Sequence, residues 1–209
     1  MKTSKYFKNL IWANIISLLV FIFLLIEISY NSFLVKLDFL INSSTFHIQN
    51  YFLTTLSIII GFIFDIKSII VISLILSVYL LIKFSKKEAL FFAFTMAIAG
   101  LFVYTLKYLI QRARPLNALI SETGFSFPSA HAAIAIVFFG LLIYLISKKK
   151  ESRSLKLTVL LISIFMILLI CFARVYLNVH WFSDVLGGIA IGAFVLSGGI
   201  IAREIFDKR

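Results

Sequence analysis

Apolar residues run along this chain in long unbroken stretches, and the polar positions gather between them. The stretches lie near residues 9–29, 67–84, 89–111, 131–147, 156–173 and 184–202. A bilayer core about 30 Å thick takes about 20 apolar residues per helical crossing, so the pattern predicts six transmembrane helices. Between the first two, segment 30–66 mixes Asp38, Asn42, Ser43, Ser44, His47, Gln49 and Asn50 with aromatics and leucines, which predicts one or two helices lying along the membrane interface. A seventh, shorter span through 51–64 is the competing reading. The expected architecture is an all-α integral membrane protein, one domain over residues 1–209.

Composition strengthens this picture. Hydrophobic residues make up 62% of the 209, against about 45–50% in a soluble domain, and six spans leave no room for a separate soluble domain. Lys2, Lys5 and Lys8 ahead of Leu10 to Ile26 have the look of a signal peptide, but no small-residue cleavage site follows and Glu27 closes the run, which predicts a retained first span. The single cysteine, Cys171, lies inside an apolar run and can form no disulfide within the chain. Gly187, Gly188, Gly192, Gly198 and Gly199 recur along the last stretch at a spacing that suits close helix packing.

Charge sets the orientation. The formal charge is +11, and a basic balance can signal nucleic acid or a membrane surface. Here the bases sit in short clusters between apolar runs, so no nucleic-acid face is expected. Lys2, Lys5 and Lys8; Lys83, Lys86 and Lys87; Lys148, Lys149, Lys150, Arg153 and Lys156; and Arg203, Lys208 and Arg209 occupy alternate connections, fourteen of the twenty bases. The positive-inside rule puts these connections and both termini in the cytoplasm. The other six are Lys36, Lys67, Lys107, Arg112, Arg114 and Arg174, and four of them fall in just two places.

Those two places carry the chemistry, because ionisable residues at membrane depth are costly and face the protein interior by default. Lys107 and Arg114 are seven apart, two helical turns, so both are expected on one face at the end of the third span, although Pro115 biases Arg114 away from helical geometry. Pro128, Ser129, Ala130 and His131 open the fourth span, with Ser129 as the expected N-cap. A helix start there would turn free N–H groups and the positive end of its dipole outward, a ready anion site. Arg174, His180 and Asp184 lie between the fifth and sixth spans. At four apart, His180 and Asp184 share a face, so the carboxylate can accept the imidazole N–H and leave the other ring nitrogen free as a nucleophile.

The three segments resemble the three signature motifs of the type 2 phosphatidic acid phosphatase superfamily, which includes vanadium haloperoxidases and glucose-6-phosphatase. The match falls on Lys107, Arg114 and Pro115; on Pro128, Ser129 and His131; and on Arg174, His180 and Asp184. Ala130 stands where the family has glycine, and Ala173 where it has serine. The resemblance implies a haloperoxidase-like helical bundle and a phosphatase with no cofactor. It further implies His180 as nucleophile, His131 as acid and base, Asp184 as the group that orients His180, and Lys107, Arg114, Ser129, Ala130 and Arg174 as phosphate-binding residues.

Two histidines and an aspartate could instead hold zinc, but three surrounding cations favour an anion, so no metal is expected. The expected substrate is a phosphate or pyrophosphate on a membrane lipid, handled at the outer face of a bacterial cytoplasmic membrane. Undecaprenyl pyrophosphate, phosphatidylglycerophosphate, phosphatidic acid and lipid A phosphate are the candidates. A transporter for phosphate or anionic lipid is the rival reading, although it has no need of a paired His180 and Asp184. Nothing in the sequence fixes an oligomeric state.

Overall fold

The computed structural model describes residues 5–207. Lys2, Lys208 and Arg209 of the basic pattern lie outside them. Among the described residues the regular elements are all helical: α1 (Lys5–Ser29), α2 (Phe33–Ser44), a 3-10 turn (Thr45–Ile48), α3 (Tyr51–Ile63), α4 (Ile66–Lys83), α5 (Lys86–Ile110), α6 (Ala130–Ser147), α7 (Arg153–Tyr176) and α8 (Phe182–Phe206). Six of these, α1 and α4 to α8, are long and apolar enough to cross a membrane. The expected spans are all present, each within a few residues of its sequence-derived limits.

The segment before α4 does not make a seventh span. Thirteen residues of α3 rise only about 20 Å at 1.5 Å per residue, short of a hydrocarbon core about 30 Å thick. Asn50 begins α3 by accepting the Leu53 N–H (2.9 Å), and Asp65 begins α4 by accepting that of Lys67 (3.3 Å), so two caps break what would otherwise read as one apolar run.

Helices α6 and α8 form the centre, with half of each apolar window buried, whereas α1 and α4 bury about a tenth of theirs. α8 packs against α1, α5 and α6, and α6 also packs against α7. Bare apolar surface gives no preference for one helix over lipid tails, so specific contacts decide the packing. Asn14 of α1 donates to the Phe194 carbonyl (2.8 Å) and the Ser197 hydroxyl (3.0 Å) of α8. On the other side of α8, a side chain at Gly188 or Gly192 would collide with the α6 backbone at Ser129 or Ala133. The glycines of the last span are thus packing glycines, and two of them set the approach of the two central helices.

The C-terminal ends of α5 and α7 meet the N-terminal ends of α6 and α8 at one end of the bundle, and α2, the 3-10 turn and α3 fold over that end. Thr45 donates to Asn178 (3.1 Å), the Asn50 N–H donates to the Tyr176 hydroxyl (3.0 Å), and Gly61 lies so close to the Arg174 guanidinium that a Cβ would stand 2.8 Å from it. The lysine-rich connections lie at the other end.

Candidate active site

At the end of α5, Gln111 takes a left-handed conformation (φ 54°) and its N–H closes on the Lys107 carbonyl. The helix stops there, ahead of Pro115, as a residue preceding proline would favour. Lys107 and Arg114 therefore do not share a helical face as their spacing predicts. Lys107 reaches out from the last turn of α5, while Arg114 returns from the loop that follows. The two are brought together by the carbonyls they bind. The Lys107 ammonium donates to the Phe125 (2.6 Å) and Ser126 (3.1 Å) carbonyls. Arg114 donates to those of Val179 (2.7 Å), Thr123 (3.1 Å) and Gly124 (3.1 Å). Lys107 thus ties the far part of loop 111–129 to the end of α5, and Arg114 fastens the loop to the turn between α7 and α8.

That loop delivers Ser129 to the N-terminus of α6. The Ser129 N–H donates to the Asp184 carbonyl (2.9 Å) and its carbonyl accepts from Ala133 (3.1 Å), so the first turn of α6 is docked on the first turn of α8. Ser129 holds the N-cap position, yet its side chain makes no capping bond. The Ser129 hydroxyl, His131 Nε2 and Arg174 Nε are buried with no partner among the described residues. Each is a strong hydrogen-bonding group whose burial is costly unless something meets it. With the free N–H groups of the first turn of α6, they make a set of donors suited to a tetrahedral oxyanion.

His180 lies in the turn between α7 and α8, just before the α8 N-cap at Trp181, and is 2% exposed. Its relation to Asp184 is therefore a cap geometry, not the shared helical face that a spacing of four suggests. Asp184 accepts the Trp181 N–H at 2.8 Å and stands 3.4 Å from His180 Nδ1 through the same oxygen. The other nitrogen, Nε2, faces Arg114 at 3.4 Å. Burial first, and then the charges of Lys107, Arg114 and Arg174, hold the His180 pKa well below the ordinary 6.5. The ring is thus held in its neutral form in a strongly cationic place. Burial also lowers the pKa of Arg114, with Glu122 opposing that shift.

Every residue expected from the motifs lies at this end of the bundle: Lys107, Arg114, Ser129, Ala130, His131, Arg174, His180 and Asp184. Three partners were not foreseen. Glu122, in loop 111–129, pairs with Arg174 and places its second oxygen 4.0 Å from Arg114. Arg112 binds Asp184 (2.6 Å) and Asp38 (2.7 Å) together. Asp38, in α2, accepts from the Ser183 N–H (2.8 Å) and hydroxyl (2.5 Å). Arg112 stands out in the sequence only as one more base near Arg114, and Asp38 only as a polar residue in an interfacial segment.

A cavity of about 780 Å³ runs from this cluster along α4, α5 and α6. Lys107, Arg114, His131 and His180 line its polar end, and Ile70, Leu74, Met96, Leu101 and Ile134 line its length. Ile70, Leu74 and Leu101 are more than half exposed on the outside of the bundle, so the cavity opens sideways between α4 and α5. It joins a cationic cluster to an apolar groove.

Phosphatidylglycerophosphatase B of Bacillus subtilis is 39% identical over 89 residues, 42% of this chain and 44% of the relative, so the chain matches less than half the length of that relative. The fold is that of the crystal structure of a transmembrane PAP2 type phosphatidylglycerolphosphate phosphatase from Bacillus subtilis, with a TM-score of 0.84 at 24% identity over 94% of this chain and 97% of that one. Aquifex aeolicus LpxE aligns with a TM-score of 0.61 at 23% identity over 81% of this chain and 94% of its own. The family model of the PAP2 superfamily matches residues 88–204, more than half of the chain and all three motifs. The chain is an integral membrane protein that belongs to the PAP2 superfamily.

Proposed function

We propose that this protein is a lipid phosphate phosphatase working through a phosphohistidine. The observation that carries the proposal is the junction of a buried, neutral His180 with three cations at the end of a sideways-opening apolar groove. A lipid can lay its tail in the groove and present its phosphate to the cluster, whereas a soluble anion would leave the groove unfilled.

His180 Nε2 attacks phosphorus as the phosphorus–oxygen bond to the lipid breaks, and His131 gives its proton to the departing oxygen. Asp184 holds the Nδ1–H and balances the charge that grows on the ring. Water then attacks the phosphohistidine and passes a proton to His131, the nitrogen–phosphorus bond breaks, and inorganic phosphate leaves. Arg114, Arg174 and Lys107, with the Ser129 hydroxyl and the N–H groups at Ala130 and beyond, hold the three equatorial oxygens. Phosphoryl transfer is served mainly by such positioning and charge stabilisation.

Phosphatidylglycerophosphate is the first candidate substrate, since a relative of 39% identity is named for it. Undecaprenyl pyrophosphate, phosphatidic acid and lipid A phosphate follow. The distribution of lysine and arginine supports a site at the outer face of a bacterial cytoplasmic membrane, with both termini inside. The test is phosphate release by purified protein from these four lipids in competition, with a chelator present. Release that His180→Ala abolishes is expected, and full activity in that variant would overturn the reading.

A further inference from the structure

We propose that Asp38 and Arg112 form a positioning relay in which Arg112 turns Asp184 toward His180 and Asp38, by sharing the guanidinium, leaves Asp184 its negative charge. This rests on the phosphatase reading above. Asp38 and Asp184 are 1% and 0% exposed, and the Arg112 side chain only 12%. The guanidinium spreads over both: Nη1 donates to Asp184 Oδ1 (2.6 Å) and to the Ser183 hydroxyl (2.7 Å), and Nη2 donates to Asp38 Oδ2 (2.7 Å). The Ser183 hydroxyl donates in turn to Asp38 Oδ2 (2.5 Å), so Arg112, Ser183 and Asp38 close a ring at the first turn of α8.

Two consequences follow from this sharing. Arg112 occupies Oδ1 of Asp184 and thereby turns Oδ2 toward the Trp181 N–H and His180 Nδ1. A guanidinium devoted to Asp184 alone would also draw off the negative charge that His180 needs when its ring becomes cationic. Asp38 takes half of that guanidinium, so one cation faces two carboxylates and the cluster keeps a net negative charge behind the nucleophile. The interfacial helix α2 thus reaches the chemistry through a single carboxylate.

The relay makes opposite predictions for its two members. The groups facing His180 are Lys107 from α5, Arg114 from the loop, Arg174 from α7, His131 from α6 and Asp184 from α8, and these stay unchanged in the variants. Asp38→Asn keeps the shape and leaves the whole guanidinium on Asp184, so the acidic limb of kcat/KM moves to lower pH. Arg112→Gln removes the cation, so that limb moves to higher pH. Shifts of about half a unit or more are expected from a charge this near. In both variants kcat falls by about 10- to 100-fold, the scale seen when a group that orients a reacting ligand is lost, and KM stays within about twofold. Arg112→Lys retains the charge but not the fork, so its acidic limb stays in place while kcat remains low.

The experiment is a pH profile of phosphate release from phosphatidylglycerophosphate by wild type and the three variants purified in detergent. Where loss of Arg112 costs folding, the isosteric Asp38→Asn decides alone. A wild-type kcat and acidic limb in Asp38→Asn, or shifts in the same direction for Asp38→Asn and Arg112→Gln, would overturn the relay. An inactive wild type would instead overturn the phosphatase reading on which the relay rests.

Discussion

Glu122 is paired with Arg174, and its second carboxylate oxygen stands 4.0 Å from Arg114. Both guanidiniums are in the set assigned to the substrate phosphate, so an internal carboxylate takes the place that an anion would otherwise hold. Glu122 is 27% exposed and Arg174 only 1%, which makes the glutamate the mobile partner.

Replacing Glu122 with glutamine leaves a buried cation facing a neutral amide. Thermal stability in detergent is expected to fall by about 1–3 kcal/mol, the scale of a lost charged hydrogen bond. Inorganic phosphate then has no carboxylate to displace, so it inhibits the variant about tenfold more tightly than wild type and restores more of its thermal stability. Equal phosphate inhibition in the two proteins would mean that Glu122 only shores up the loop.

The lowered pKa of His180 has a definite sign. The folded value lies below the unfolded 6.5, so folding releases a proton wherever the unfolded chain holds one. The stability tied to this group is complete above pH 6.5 and is lost as pH falls from 6.5 toward the folded value. As the proposed nucleophile, His180 makes activity follow the same course, and the acidic limb of kcat/KM should lie below pH 6.5. Lys107 is the largest of the charges holding that pKa down, after burial. Lys107→Gln should therefore move the limb upward, and a downward move would contradict the assignment.

Ser129 separates a capping role from a binding role. An N-cap serine usually contributes about 1 kcal/mol through its bond to the first helical turn, but this one makes no such bond and its hydroxyl is buried without a partner. Ser129→Ala should leave the thermal midpoint unchanged or slightly higher while KM for the lipid phosphate rises severalfold. A loss of stability with unchanged KM would return Ser129 to an ordinary cap.

The residues legible in the sequence were those whose presence is costly in an apolar setting. Lys107, His131, Arg174 and His180 stand at the ends of membrane runs, where only a shared purpose accounts for them, and the spans followed from length alone. The way they meet was harder to read. A spacing of seven from Lys107 to Arg114 suggested one helical face, but a left-handed Gln111 ended the helix first. Asp38 and Ser183 are 145 positions apart, and no local spacing records a contact made only when α2 folds over the bundle. Glu122 lies in a loop without periodicity, so its turn toward Arg174 depends on backbone geometry alone.

The approach of α6 and α8 carries the last prediction. A Cβ at Gly192 would stand 2.6 Å from the Ala133 carbonyl and 3.0 Å from its Cα, and one at Gly188 would meet the Ser129 carbonyl and the Ala133 nitrogen. These are backbone atoms of a central helix, which cannot swing aside as a flexible side chain can. Both Gly188→Ala and Gly192→Ala should force α6 and α8 apart and cost about 1–3 kcal/mol through overpacking. Their effects on catalysis should differ. Gly188 sits beside the Ser129 carbonyl, one peptide from the hydroxyl and N–H groups assigned to the phosphate, whereas Gly192 lies one turn deeper. Displacing Ser129 loosens the fit to the reacting group, so Gly188→Ala should lower kcat by far more than Gly192→Ala at comparable loss of thermal stability. Equal losses of kcat in the two variants would show that the bundle responds as a whole, with no special dependence on the Ser129 turn.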